Sequence, residues 1–251
     1  MNRVSSGPHA EAYLLGQYRG LVPIDEIKEW WPFQSYSASF LGPDRHILVF
    51  PISQNKLLNV VAFVTVPHER LGDLRESWSS IGSREDLARD FEGFNDVVQK
   101  IIALMPATPS RWVLNDREPL QQWVDGRVVL VGDAAHAMLP HQGAGAGQSI
   151  EDGWILGRSI SEYFRERSSA SSERELAQWL KLYQSVRLPR AQKAQQTARE
   201  AGNVYEMQAA GMEGLSYDEC LPLVAERLRN RMKWVWTEDI DEAYELAKCT
   251  P

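Results

Sequence analysis

Asp133 stands directly after the apolar run RVVLVG (Arg127–Gly132), and three glycines follow it at alternate positions, Gly143, Gly145 and Gly147. In open α/β sheets, ligands lie beyond the carboxyl ends of the strands, which is where Asp133 falls. A carboxylate there accepts hydrogen bonds from hydroxyls, so a polyol chain suits it, whereas a phosphate is repelled. The run GAGAG (Gly143–Gly147) opens a predicted helix. Glycine and alanine let a flat ligand approach the main chain closely. The first N–H groups of the helix, with its dipole, favour partial negative charge such as a ring carbonyl oxygen. Together the two features describe a site for a flat ring carrying a polyol. Taken singly, each also fits an ordinary α/β loop.

The neighbouring polar residues are weighed by type. His136, three residues after Asp133, reads as a fixed structural donor rather than a base, and His141 as the more solvent-facing candidate. Glu151 and Asp152 read as acids favoured in the first turn of a helix. The pair Trp30 and Trp31 reads as core or interface anchoring. The histidines show no ligand spacing, so no metal is expected, and there is no Gly-x-Ser-x-Gly elbow.

Positioning these groups requires ordered elements. The segments 14–23, 35–53 and 56–67 are rich in Val, Phe, Tyr and Ile, and GPDR and SQNK punctuate them as turns, which predicts an antiparallel meander. SREDLARDFEGFNDVVQKIIALM (Ser83–Met105) starts with Ser-x-x-Asp, a capping signal, and predicts a helical region. RVVLVG has no polar alternation, as expected of a strand covered on both faces in a parallel sheet. A helix is predicted over Gly147–Arg167, a helix-to-helix loop at RSSASSER (Arg167–Arg174), and a largely helical remainder interrupted at RLPR (Arg187–Arg190). Strand, glycine loop and helix in that order make half of a dinucleotide-binding βα unit.

The chain has 251 residues, long enough for an ample core, and its 43% hydrophobic content is that of a globular protein. A net charge of -7 argues against nucleic acid as a partner. No stretch approaches a membrane span, and the first residues are no signal peptide, so a cytoplasmic location is expected. Cys220 and Cys249 form no disulfide framework and are expected as free thiols.

The whole run GDAAHAMLPHQGAGAGQSIEDG (Gly132–Gly153) resembles the second flavin-binding signature of the class A FAD-dependent aromatic monooxygenases, in the salicylate hydroxylase branch. YRGLVP (Tyr18–Pro23), DREPLQQWVDGRVVLVGDAAH, YQSVRLPRAQKAQQTAR (Tyr183–Arg199) and KWVWTEDIDEA (Lys233–Ala243) resemble further family segments in the same order. The resemblance implies an α/β (α+β) fold: an incomplete Rossmann-like FAD-binding portion, an antiparallel substrate-domain sheet and C-terminal helices. It divides the chain into a substrate-domain sheet and helix (1–110), the C-terminal part of the FAD-binding domain (111–170) and a helical region (171–251). By the same resemblance Asp133 binds the ribityl chain of FAD. The main chain at Gly143, Gly145, Ala146 and Gly147 faces the pyrimidine end of the isoalloxazine, and Pro140 lies beside the ring. Arg19 matches an arginine placed over the active site; the alternative for it is a structural ion pair at a strand end. The implied reaction consumes NADH or NADPH and O2, adds oxygen to the flavin as a hydroperoxide, and hydroxylates a small aromatic or phenolic substrate.

Two departures qualify that expectation. The G-x-G-x-x-G strand and the other elements that hold the pyrophosphate and adenosine have no match before Tyr18, so the chain reads as a fragment. Several family members carry tyrosine where LVFPIS has Phe50, and phenylalanine cannot hydrogen-bond a substrate oxygen, which leaves more to Arg19. A non-catalytic binding module or subunit, and an epoxidase or dearomatising hydroxylase of a natural-product scaffold, are the rival readings. Substrate, nicotinamide preference and oligomeric state, including a homo-oligomer, stay open.

Overall fold

The computed structural model describes residues 13–67, 81–168 and 174–249. The fold is mixed α/β, and it divides into two compact units: Met1–Leu114 with Asn203–Glu226, and Asn115–Gly202 with Arg227–Pro251.

The first unit is built on an antiparallel sheet of β1 (Tyr13–Pro23), β2 (Ala38–Gly42), β3 (Arg45–Ile52), β4 (Leu57–Pro67) and β5 (Ser110–Leu114), in the order β2-β3-β4-β1-β5. The predicted meander is present as β2, β3 and β4, with turns at Asp44 and at Ser53–Asn55, all of which hold positive φ. β1 does not join the meander at its sequence end. It pairs with β4 along its whole length and with β5 on its other side. β5 was not anticipated, because SRWVL is short and only half-buried throughout most of its length.

Strand alternation sorts the side chains onto two faces. Tyr18, Val22, Ile47, Val49, Leu58, Val60 and Ala62 point one way and are buried against two helices, α1 (Arg84–Asp90) and α2 (Asp96–Leu104). The Ser83 capping signal holds, its Oγ accepting from the Asp86 N–H at 3.2 Å. The expected helical region is two helices, because Gly93 takes φ 87° and Asn95 caps a second start by accepting from the Val98 N–H. Val98, Ile101, Ile102 and Met105 then form one apolar stripe toward the sheet. Each such aliphatic side chain contributes roughly 1.5–3 kcal/mol on burial.

The second unit starts with a two-stranded ribbon of β6 (Val124–Asp125) and β7 (Val128–Val129). The short helix α3 (Asp133–His136), a 3-10 turn at Pro140–Gln142, and the long helices α4 (Gly145–Ser168) and α5 (Leu176–Tyr205) follow. The loop expected at Arg167–Arg174 lies largely outside the described residues. α6 (Tyr217–Leu228), with Cys220 and Val224 buried, belongs mostly to the first unit, and α7 (Lys233–Thr237) and α8 (Ile240–Cys249) to the second. Trp123, Trp179, Tyr183, Ile155 and Tyr244 form the centre of the second unit's core. No described helix is long and apolar enough to cross a membrane.

Two expectations are corrected. RVVLVG is not a strand of a parallel sheet: it pairs only over Val128–Val129, antiparallel to β6, and Val128 and Val131 are exposed. Parallel pairing needs a strand of like direction alongside, and the described residues of this unit supply none. The helix is also not interrupted at RLPR; α5 runs through Pro189. Arg187 and Arg190, on either side of the proline, are anchored to α4, and these bonds offset the backbone bond that proline cannot make.

Candidate functional site: a strapped glycine turn and an open sheet face

In the second unit, α5 presents a row of polar side chains that hold the strand, loop and helix in front of it. Tyr183 donates its hydroxyl to the Leu130 carbonyl at 3.0 Å. Gln184 Oε1 accepts from the Trp123 and Val124 N–H groups, and Gln195 donates to the Ala137 carbonyl. Arg187 is fully buried and donates to Asp152 Oδ1 at 2.9 Å, to the Gln148 carbonyl and side chain, and to Glu151. Arg190 grips both oxygens of Glu151, at 2.8 and 2.9 Å, and reaches Glu238 and the Val235 carbonyl ahead of α8.

Asp152 is the hub. Its Oδ2 accepts from the Gly132 N–H at 2.8 Å and from His136 Nε2 at 2.6 Å, while Oδ1 takes Arg187. Burial would raise the carboxyl's pKa, but His136, the Gly132 N–H and Arg187 together hold it below the ordinary aspartate range. Burial, reinforced by the Asp152 charge, pushes the Tyr183 phenol well above its ordinary value. The structural reading of His136 holds, since its ring is fully buried on Asp152. Glu151 and Asp152 are not first-turn acids of α4; they sit in its second turn and serve as counter-ions to α5. His141 is not solvent-facing: it is buried, and a Cβ on Gly202 would lie 2.6 Å from its Nε2.

What this scaffold presents to solvent is a short list. Gly132 takes φ 59° and ψ -143°, a conformation closed to other residues, and its neighbour Asp133 is exposed. Among the described residues the Asp133 carboxylate has no hydrogen-bond partner. Gly143 holds φ 61°, and a Cβ added at Gly143, Gly145 or Gly147 would meet nothing within 4 Å. The alternate glycines are therefore not required by packing inside this chain; they leave bare main chain. Gly145, Ala146 and Gly147 open α4, where N–H groups lack intrahelical acceptors. Pro140 is exposed at the start of the 3-10 turn. A carboxylate free to accept from hydroxyls, beside a glycine turn with unspent N–H donors, fits the ribityl and pyrimidine end of a flavin.

Arg19 belongs to the first unit, on the sheet face opposite α1 and α2. It is exposed; its Nε donates to Asn59 Oδ1 at 2.9 Å, and its guanidinium lies 5.9 Å from the centre of the Trp112 ring. Among the described residues no carboxylate pairs with it, so the alternative of a structural ion pair is not what the strand end provides. Phe50 shares this face, directly across from Asn59. The structure thus brings Asp133, Pro140, Gly143, Gly145, Ala146 and Gly147 into one unit and puts Arg19 in the other. Sequence reasoning missed the roles of Asp152, Arg187, Arg190 and Asn59. The spacing of Tyr183, Arg187 and Arg190, at i, i+4 and i+7, was the signal for a polar helix face.

A family model described as FAD binding domain matches residues 44–198. Salicylate hydroxylase of Pseudomonas putida is 38% identical over 233 residues, which is 89% of this chain and 51% of that protein. The FAD-dependent monooxygenase orf3 of Aspergillus niger is 33% identical over 249 residues, 93% of this chain and 54% of the relative. Among solved structures, a salicylate hydroxylase substrate complex superposes with a TM-score of 0.78 at 33% identity, covering 93% of this chain and 56% of that one. HpxO of Klebsiella pneumoniae, complexed with FAD and uric acid, superposes with a TM-score of 0.63 at 25% identity, covering 94% and 53%. The chain spans about half the length of the curated relatives it matches.

Proposed function

The chain belongs to the FAD binding domain family, in its class A branch related to salicylate hydroxylase, and from that premise we propose that it carries the flavin-end and substrate contacts of an FAD-dependent monooxygenase acting on a small aromatic or phenolic molecule. The observation that carries the proposal is the exposed Asp133, without a hydrogen-bond partner among the described residues, on a turn clamped from behind by buried Asp152.

In this reading Asp133 accepts hydrogen bonds from the ribityl hydroxyls. The N–H groups of Gly145, Ala146 and Gly147 face a carbonyl oxygen of the ring's pyrimidine end, and Pro140 bounds the ring. When bound, FAD supplies the redox chemistry with NADH or NADPH and O2. Arg19 orients the substrate: with Nε committed to Asn59, its terminal nitrogens stay available for a phenolate or carboxylate.

Titrating the chain with FAD, followed by flavin fluorescence and absorbance, tests the first part. Quenching with a shifted, structured flavin band is expected, and phenol- or salicylate-stimulated oxidation of NADH or NADPH tests the second. A chain that retains no flavin after desalting at any concentration of added FAD overturns the proposal in favour of a flavin-free binding module. The exposed Val128 and Val131 lend that rival some support, since they offer an apolar edge to another polypeptide.

A further inference from the structure

Asn59 lies in the middle of β4, and only 1% of it is exposed. Its Oδ1 accepts from Arg19 Nε at 2.9 Å. A guanidinium N–H can only donate, so this bond fixes which way the amide faces and leaves Nδ2 as a pair of donors pointing elsewhere. Nδ2 is buried and meets no acceptor among the described residues. The cross-strand neighbours on this face are Leu21 on β1 and Phe50 on β3, and neither side chain can accept a hydrogen bond. A buried donor without a partner destabilises the free protein, and such a group persists where something else supplies the acceptor.

We infer that Asn59 is a specificity-determining residue whose Nδ2 donates to an oxygen of the bound aromatic substrate, with Arg19 holding the amide in the orientation that makes this possible. The inference rests on the function proposed above and adds to it a residue and a requirement: a ring without an acceptor oxygen leaves Nδ2 orphaned and binds poorly. Phe50 sharpens the requirement. It is the cross-strand neighbour of Asn59 but carries no hydroxyl, so on this stretch of sheet the amide, with Arg19, is left to read the oxygen.

The test uses salicylate, phenol and toluene as probes, titrated with and without saturating FAD, on wild type and Asn59→Leu. Leu keeps the branching of Asn at Cγ, with the same number of side-chain heavy atoms, and removes the orphaned donor; Arg19 is exposed and water can take over its Nε–H. The expected result has opposite signs: thermal stability held or raised, and affinity for salicylate and phenol reduced roughly tenfold or more, as for loss of a hydrogen bond to a charged or polar oxygen, with toluene unchanged. In wild type the Asn59 side-chain amide resonances should shift with salicylate and phenol and stay still with toluene. Asn59→Asp is the second variant: it keeps an acceptor for Arg19, replaces the donor with a carboxylate, and should lose salicylate by charge repulsion while retaining more of its affinity for phenol, whose hydroxyl can donate to the new carboxylate. Amide signals that ignore the oxygen-bearing probes, or equal losses for all three, overturn the inference; so does unchanged affinity in both variants, which would mean that water satisfies Nδ2. A chain that takes up FAD but shows no such discrimination overturns this inference alone. A chain that takes up no FAD overturns the proposed function, and the flavin-free titration still reads Asn59.

Discussion

Arg187 and Asp152, both fully buried, meet at 2.9 Å between Nε and Oδ1, and through this pair α5 holds the turn that displays Asp133. A buried pair of this kind is a poor source of net stability, but breaking it is expensive, because the surviving charge is left in a medium that cannot solvate it.

Replacing Arg187 with Met should therefore destabilise the second unit by about 3–5 kcal/mol. Arg187→Lys should recover little, since an ammonium cannot reach Asp152, Glu151 and Gln148 in one plane. Urea denaturation of the two variants checks this; equal stability of Arg187→Lys and wild type would contradict it.

The same pair sets a pH dependence. The Asp152 carboxyl is held below its ordinary value in the folded chain. Its contribution is fully present above the unfolded aspartate value of about 3.9 and is lost as the pH falls through the lower folded value. Urea midpoints should thus hold steady from neutral pH down to about 5 and fall below about 4. Asp152→Asn should be weaker at neutral pH and show a shallower acid decline.

Asp133 should behave in the opposite way from Asp152. It is exposed and has no internal partner among the described residues, so Asp133→Asn should leave the melting temperature nearly unchanged. FAD affinity should fall roughly tenfold, the size of a lost charge-assisted hydrogen bond. A calorimetric titration beside a thermal melt separates the two effects. A stability loss with unchanged FAD affinity would assign Asp133 to the fold.

Gly202 gives a case where two local effects compete. In a helix interior, Gly→Ala gains up to about 1 kcal/mol of helix propensity. Here the new Cβ would lie 2.6 Å from His141 Nε2 and 2.7 Å from its Cδ2, and overpacking of a buried ring costs about 1–3 kcal/mol. The clash should win, lowering the melting temperature. His141 sits in the 3-10 turn with Pro140, so FAD affinity should fall as well.

Local signals in the sequence carried much of the rest. The turns after Gly42 and Ile52 were legible because backbone with positive φ selects particular residues, and the Ser83 cap because a hydroxyl three residues before an N–H has one good use. Asp133 and the alternate glycines were legible because packing inside the chain explains neither the exposed carboxylate nor the open space at the glycines. What misled was burial. An unbroken apolar run predicts cover on both faces, yet Val128 and Val131 are exposed. Acidic residues near a helix start predict a dipole role, yet Asp152 is fully buried.

The sequence by itself determined the type of the longer elements and the short-range chemistry of their turns and caps, because those depend on a few adjacent residues. Only the tertiary structure decided that β1 pairs with β4 and β5, that α5 passes through Pro189, and that Gly132, His136 and Arg187 converge on Asp152. It also decided that Asn59 is left with a buried donor that meets no acceptor among the described residues. The side-chain contacts among them join residues from 16 positions apart, as His136 and Asp152, to 40, as Arg19 and Asn59. Their energies depend on which groups lose water together, and no local pattern of residue types records that.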